Sequence, residues 1–210
     1  MFSFTGSPSE LTLISSIIIQ DLLLQCNTRS HTALAYFYFD FNTTTKQELL
    51  YCLSSIVAQL CSQIKNVPDQ IKKSYERCSS GKHQASIDEM RTMLFKVAES
   101  LDDVFIILDA LDECPKNGER EQLLVALSEI MSQSCGNLHV LVTSRREPDI
   151  EQSLLPLLTH PAISVHGSGL DLDIKMYISW QLATDSRLKK WSAEIKSEIE
   201  NSLTAGANGM

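Results

Sequence analysis

The stretch LDDVFIILDALDEC, residues 101–114, constrains the fold more than any other part of the chain. From Val104 to Leu108 the apolar residues follow one another without polar alternation. That pattern belongs to a strand buried on both faces of a parallel sheet, because an antiparallel strand with one wet face would alternate. The run then ends in Asp109, with Asp112 and Glu113 close behind. Charge is costly inside such a sheet, so Asp109 is expected where the strand emerges. In open α/β sheets that carboxyl edge is where ligands bind, and Asp109 is expected to face a cation there.

The rest of the chain alternates strands with helices around this run. Strands are predicted at 34–39, 103–109, 138–143 and 162–166, after a short opening strand in MFSF. A buried helix is predicted over 11–26. The segment NTTTKQELLYCLSSIVAQLCSQI opens with a threonine cap and is apolar at Leu49, Leu50, Leu53, Ile56, Val57 and Leu60, a helical spacing. A weaker helix precedes a loop around Gly81. Another helix follows, opened by the capping box Ser86-x-x-Glu89. Helices are also expected over 119–133, in PDIEQSLLPLL, and throughout the chain from Asp171 on. The fold class that follows is α/β, a three-layer parallel sheet with a C-terminal helical annex.

Composition removes several functions. The net charge of -8 offers no basic field for nucleic acid or an anionic membrane. The cysteines at 26, 52, 61, 78, 114 and 135 form no C-x-x-C pair, which argues against a zinc site or a disulfide scaffold and fits reduced thiols in the cytoplasm. The apolar stretch LTLISSIIIQDLLLQC is interrupted by Gln20 and Asp21 and has no basic residues before it. It reads as a buried helix too short to cross about 30 Å of hydrocarbon.

Asp109, Asp112 and Glu113 behind a buried strand match a Walker B arrangement. There the first acid helps to hold Mg²⁺, and a later acid, Asp112 or Glu113, orients or activates the attacking water. Solvated acids at a strand end would look similar; the order of buried strand, D-A-L-D-E, helix and second buried strand favours the functional reading. The second strand ends in Thr143-Ser144-Arg145. It brings a guanidinium to the same sheet edge, to sense a γ-phosphate or to pair with the acids, with Arg146 as an equally placed neighbour.

FIILDALDEC, LHVLVTSRREPDI and the terminal TAGANGM resemble the NACHT NTPase domains of fungal STAND proteins, grouped as the nephrocystin-3-like N-terminal domain. ALAYFYFDFN, KQELLYCLSSIVAQL and DIKMYISWQL extend the resemblance over nearly the whole chain. It implies a P-loop NTPase-like core over 1–170 and the truncated start of a helical subdomain over 171–210. The implied cofactor is ATP or GTP with Mg²⁺. The implied partners are other domains of a longer STAND chain, an effector on the N-terminal side and ankyrin or WD-type repeats on the C-terminal side, together with self-association. Neither nucleic acid nor membrane is expected. Such proteins act as nucleotide-operated switches in heterokaryon incompatibility and innate-immune-like signalling.

The phosphate-binding loop departs from the family pattern. That pattern resembles G-x-P-G-x-G-K-[ST]-x-L-S-S, whereas this chain reads TGSPSELTLISS over 5–16. With one residue deleted, Gly6, Pro8, Ser15 and Ser16 keep their places. Thr12 takes the Mg²⁺-binding hydroxyl position beside the metal acid Asp109, and Leu11 stands where the lysine belongs. Gly6, Pro8, Thr12 and Arg145 would touch nucleotide if it binds. Leucine cannot make a charge-assisted phosphate contact, and the later glycines are missing. A degenerate switch or scaffold with weak or no nucleotide binding is the leading expectation, and hydrolysis is not expected. An active ATP- or GTP-binding NTPase with an atypical loop is the alternative.

Overall fold

The computed structural model describes residues 1–6, 8–43, 48–79, 85–116, 118–133, 136–165, 168–185 and 187–207. The elements run β1 (Phe2–Thr5), α1 (Pro8–Thr28), β2 (Thr32–Tyr38), α2 (Leu49–Gln63), α3 (Asp69–Ser79), α4 (Ile87–Ala98), β3 (Asp103–Asp109), α5 (Glu119–Gln133), β4 (Leu138–Ser144), α6 (Pro148–Leu154), β5 (Ile163–Ser164), α7 (Ser168–Thr184) and α8 (Ala193–Ala207). The strands form one sheet in the order β2-β3-β4-β1-β5. The pairings of β2 with β3, β3 with β4 and β4 with β1 are parallel. This is an α/β fold around a parallel sheet, as the apolar runs required.

Two faces of the sheet bury different side chains. On one face Ala33, Ala35, Val104, Ile106, Val140 and Val142 join the main core under α2, α4 and α5. The α2 side of that core comes from Leu49, Cys52, Leu53, Ile56, Val57 and Leu60, a stripe spaced three and four residues apart that faces the sheet. On the other face Leu34 and Ile107 pack against Ile19 of α1. The strand that reads as buried on both sides therefore is, with Val104, Ile106 and Leu108 turned one way and Ile107 the other.

Local signals held at some ends and failed at others. Ser86 accepts from the Glu89 N–H and Glu89 accepts from the Ser86 N–H, so the capping box is formed. α2 starts at Leu49 after an extended Glu48 that makes no side-chain cap bond; the threonine cap expected for it falls largely on Thr44 and Thr45, outside the described residues. Residues 44–47 and Gly81 lie outside the described residues. The strand expected over 162–166 is reduced to Ile163–Ser164, and His166 lies outside the described residues.

The expectation that the first helix is too short for a membrane is corrected. α1 has 21 residues, or about 31 Å at about 1.5 Å per residue. Among the described residues it is the one helix long and apolar enough to cross a membrane, by length and composition. What holds it on the sheet is specific packing by Leu11, Ser15 and Ile19, all buried, while Leu13, Ile17 and Leu24 face outward.

Contacts divide the chain into two compact units, Met1–Ile163 and Ser164–Met210. The first holds the mixed α/β core. The second is helical, with α7 packed on α8 and Ser179 Oγ donating to Glu200 Oε1 at 2.5 Å.

The core also decides the chemistry of its thiols. Cys52 and Cys114 are 1% exposed. Burial raises the Cys52 thiol pKa strongly, and pushes Cys114 up to about 11. Thiolate is the reactive form, so both should resist alkylation by iodoacetamide at pH 8 in the folded chain and react once it is unfolded in urea. Site-resolved mass spectrometry checks this; rapid native labelling of either would mean that the packing of α2 against the sheet is wrong.

Candidate functional site

Parallel register aligns the carboxyl ends of four strands. Tyr38 pairs with Asp109, Leu108 with Val142, and Thr5 with Ser144. Asp109 is the last residue of β3, as expected, yet it is only 2% exposed. The first turns of α1 cover it at that edge, through Thr12 and Ser15.

Its carboxylate is held by three hydroxyls. Thr12 Oγ1 donates to Oδ2 at 2.8 Å. Ser15 Oγ and Thr143 Oγ1 donate to Oδ1 at 2.5 and 2.7 Å. Thr143 also accepts from the Ala110 N–H at 3.0 Å, so the turn after β3 is tied to β4 through the same hydroxyl. Ala110 takes φ 57°, a left-handed conformation that costs a non-glycine residue about 1 kcal/mol. Short charge-assisted hydrogen bonds offset that cost.

Beyond Ala110 the chain makes a 3-10 turn, Leu111–Glu113. Asp112 is 7% exposed and receives two bonds from Arg145, the backbone N–H to Oδ1 at 2.8 Å and Nε to Oδ2 at 2.6 Å. The hydrogen bond and charge of Asp112 raise the Arg145 pKa above its ordinary value. Arg145 therefore pairs with an acid of the DALDE turn, while its outer arm remains more than half exposed. Arg146 turns to Glu151 instead. Glu113 accepts the Phe41 N–H at 3.1 Å. Burial raises its carboxyl pKa, with the charges of Asp112 and Asp40 adding to the rise, against the Phe41 hydrogen bond and the Arg145 charge.

A residue that sequence reasoning missed fixes this turn from beneath. Arg120, 4% exposed, donates to the carbonyls of Asp112 and Cys114, the latter at 2.8 Å from Nε, and pairs with Asp149 at 3.3 Å. A signal was present. An arginine between Glu119 and Glu121 sits in the first turn of a helix, where the helix dipole disfavours a cation, so something else must hold it.

The phosphate side is built differently. Only Gly6 and Ser7 separate β1 from α1. Gly6 is buried, Pro8 starts the helix, and Leu11 is 2% exposed within the core. Among the described residues, no buried side-chain nitrogen or oxygen lacks a hydrogen-bond partner.

Residues 11–145, well over half of the chain, match the family described as nephrocystin 3, N-terminal. The chain belongs to that family. No curated protein matches it. Among solved structures it is similar to the ORC1 protein of Aeropyrum pernix, determined in complex with DNA, with 13% identity and a TM-score of 0.55 over 88% of this chain and 49% of that one. It also aligns with a Walker-type ATPase of Pyrococcus abyssi, at 14% identity and a TM-score of 0.42 over 96% of this chain and 57% of that one. The chain thus spans about half the length of the ORC1 protein, and at this identity the likeness is one of fold. The family match opens at Leu11, so Gly6 and the β1–α1 turn lie outside it.

A magnesium nucleotide fits one end of this nephrocystin-3-type site and not the other. The Thr12 hydroxyl beside Asp109 is a suitable oxygen pair for Mg²⁺. A triphosphate needs a loop of free N–H groups and a lysine, but the turn is two residues long and the lysine position holds a buried leucine.

The turn that carries Asp112 should be more sensitive to Arg120 than to Arg145. Removing Arg120 takes a buried donor from the carbonyls of Asp112 and Cys114 and leaves Asp149 without its arginine bond, so Arg120→Ala should cost about 3 kcal/mol. Arg145→Ala leaves the backbone N–H on Asp112 and loses a solvent-screened arm, so it should cost about 1 kcal/mol. Urea unfolding of both variants checks the order, and the reverse order would contradict the assigned geometry.

Proposed function

We propose that this chain is a degenerate NACHT-type module of a cytoplasmic STAND signalling protein, serving as a scaffold or switch remnant with weak or no nucleotide binding and no hydrolysis. The observation that carries this reading is the two-residue turn between β1 and α1, with Leu11 buried where a phosphate-binding lysine is needed. A triphosphate brought to this edge would meet Asp109, Asp112 and Glu113 without a lysine or a cradle of backbone N–H groups to offset their charge. Arg145, the residue that follows β4, is already bonded to Asp112. Asp112 is likewise engaged and buried, which takes it out of the role of orienting a water. The proposal extends to flanking domains, an effector before this module and ankyrin or WD-type repeats after it, with self-association as the output in heterokaryon-incompatibility or innate-immune-like signalling.

One observation favours the active-NTPase alternative: the Thr12–Asp109 hydrogen bond at 2.8 Å keeps the metal end of the site in order. In that reading Asp109 and Thr12 hold Mg²⁺, Gly6, Pro8 and Arg145 touch the nucleotide, and Asp112 and Glu113 orient or activate the attacking water. Calorimetry separates the two. The unmodified chain should bind ATP·Mg²⁺ and GTP·Mg²⁺ more weakly than about 1 mM. Replacing residues 6–12 with a G-x-P-G-x-G-K-T segment should restore binding near the micromolar range, about −8 kcal/mol. Micromolar, Mg²⁺-dependent binding by the unmodified chain would overturn the degenerate reading.

A further inference from the structure

β2 lies at one edge of the sheet. Its backbone alternates, and the odd-numbered residues turn toward β3, as the Phe39 N–H to Asp109 carbonyl bond at 3.0 Å shows. Leu34 and Tyr36 therefore aim their N–H and C=O groups away from the sheet, the open edge that invites another strand. Two glutamines of α2 occupy it. Gln63 accepts from the Leu34 N–H at 3.1 Å and donates to the Leu34 carbonyl at 2.7 Å. Gln59 accepts from the Tyr36 N–H at 3.1 Å and donates to the Tyr36 carbonyl at 2.8 Å. Each primary amide takes the place of one residue of a neighbouring strand.

The spacing explains why two such pairs form together. Four helical residues rise about 6.0 Å, and two strand residues rise about 6.6 Å. A return helix antiparallel to its strand can therefore keep both rungs in step, with Gln59 opposite Tyr36 and Gln63 opposite Leu34. The next rung would set Ser55 against Tyr38. Serine is too short to repeat the pairing, and Ser55 accepts from the Gln59 amide at 3.1 Å instead. The guarded segment, Thr-Ala-Leu-Ala-Tyr-Phe-Tyr over 32–38, has no charge, proline or glycine and is rich in β-formers. Unguarded, such a segment pairs readily with a copy of itself.

We propose that Gln59 and Gln63 close the β2 edge against strand addition, and that the partner they exclude is β2 of a second copy of this chain. This device does not depend on the nucleotide reading.

The test begins on the unmodified 210-residue chain. Amide hydrogen exchange should be about fivefold slower at Leu34 and Tyr36 than at the outward amides of Thr32 and Tyr38, which these glutamines do not cover, the factor set by one hydrogen bond of typical net strength. In Gln59→Leu/Gln63→Leu, which keeps side-chain bulk and helix propensity, that protection should vanish in the monomer. The variant should then self-associate with rising concentration in sedimentation velocity. Adding Tyr36→Pro should suppress the association, because that N–H points outward and its loss leaves the β3 ladder intact. A folded double variant that stays monomeric, or equal exchange at all four amides of the parent, overturns the proposal. If the double variant loses its helical circular dichroism, Gln63→Leu alone decides: exchange should rise at Leu34 and not at Tyr36, and any other pattern counts against the guard.

Discussion

The structure depends on one buried charge. Asp109 ends β3, an interior strand of the sheet, with its carboxylate out of water, where an unpaired ion would cost several kcal/mol. Three hydroxyls from two elements, Thr12 and Ser15 on α1 and Thr143 on β4, supply the hydrogen bonds that make this burial tolerable. The same contacts set where α1 lies. A helix with Ile and Leu on nearly every side has no apolar stripe to choose its orientation, and its outer face still shows Leu13, Ile17 and Leu24 to solvent. The two hydroxyls pointing at Asp109 give it a rotation and a height. From there the order propagates through Thr143 to the Ala110 N–H and into the turn carrying Asp112 and Glu113.

The second consequence is electrostatic. Three carboxylates crowd one sheet edge of an acidic chain, and the fold answers them from within. Arg145 takes Asp112 by side chain and main chain, Arg120 ties down the carbonyls of the turn, and Glu113 rests on the Phe41 N–H. In a working nucleotide site such acids meet a metal and phosphates whose charges complete the arrangement. Here internal partners engage these acids, and Leu11 on the α1 side is buried. Hydroxyls around the first acid and an arginine on the second tie this edge into the rest of the fold.

Much of this was legible in the sequence, for physical reasons specific to each residue. VFIILD could only be a two-sided buried strand, and β3 ends at Asp109 as read. The Ser86 capping box and the 119–133 helix were local signals, and local signals need no tertiary partner to be read. α2 starts only where Leu49 enters the core, later than the run of threonines before it suggested. The burial of Asp109 was not legible, since it depends on α1 closing over the strand end from 94 residues away in sequence. Arg120 was visible only as a misplaced cation among acids. The pairing of Arg145 with Asp112, left open between phosphate sensing and ion pairing, is set by the left-handed Ala110, which no propensity favours. The glutamines on the β2 edge look like ordinary solvated residues of a helix until the strand beside them is in place.

The central claim is that Asp109 now holds the fold together rather than waiting for a metal. Its most direct test is the unfolding free energy of Asp109→Ala and Asp109→Asn, by urea titration with and without Mg²⁺. A charged residue kept for ligand binding is commonly a cost to stability, so its removal leaves a protein equally or more stable. If Asp109 is the hub described here, Asp109→Ala should lose roughly 3 kcal/mol or more as three hydroxyls lose their acceptor, Asp109→Asn should lose less, and Mg²⁺ should change none of these values. A variant as stable as the parent, or a parent stabilised by Mg²⁺ in a way that Asp109→Asn abolishes, would contradict the account.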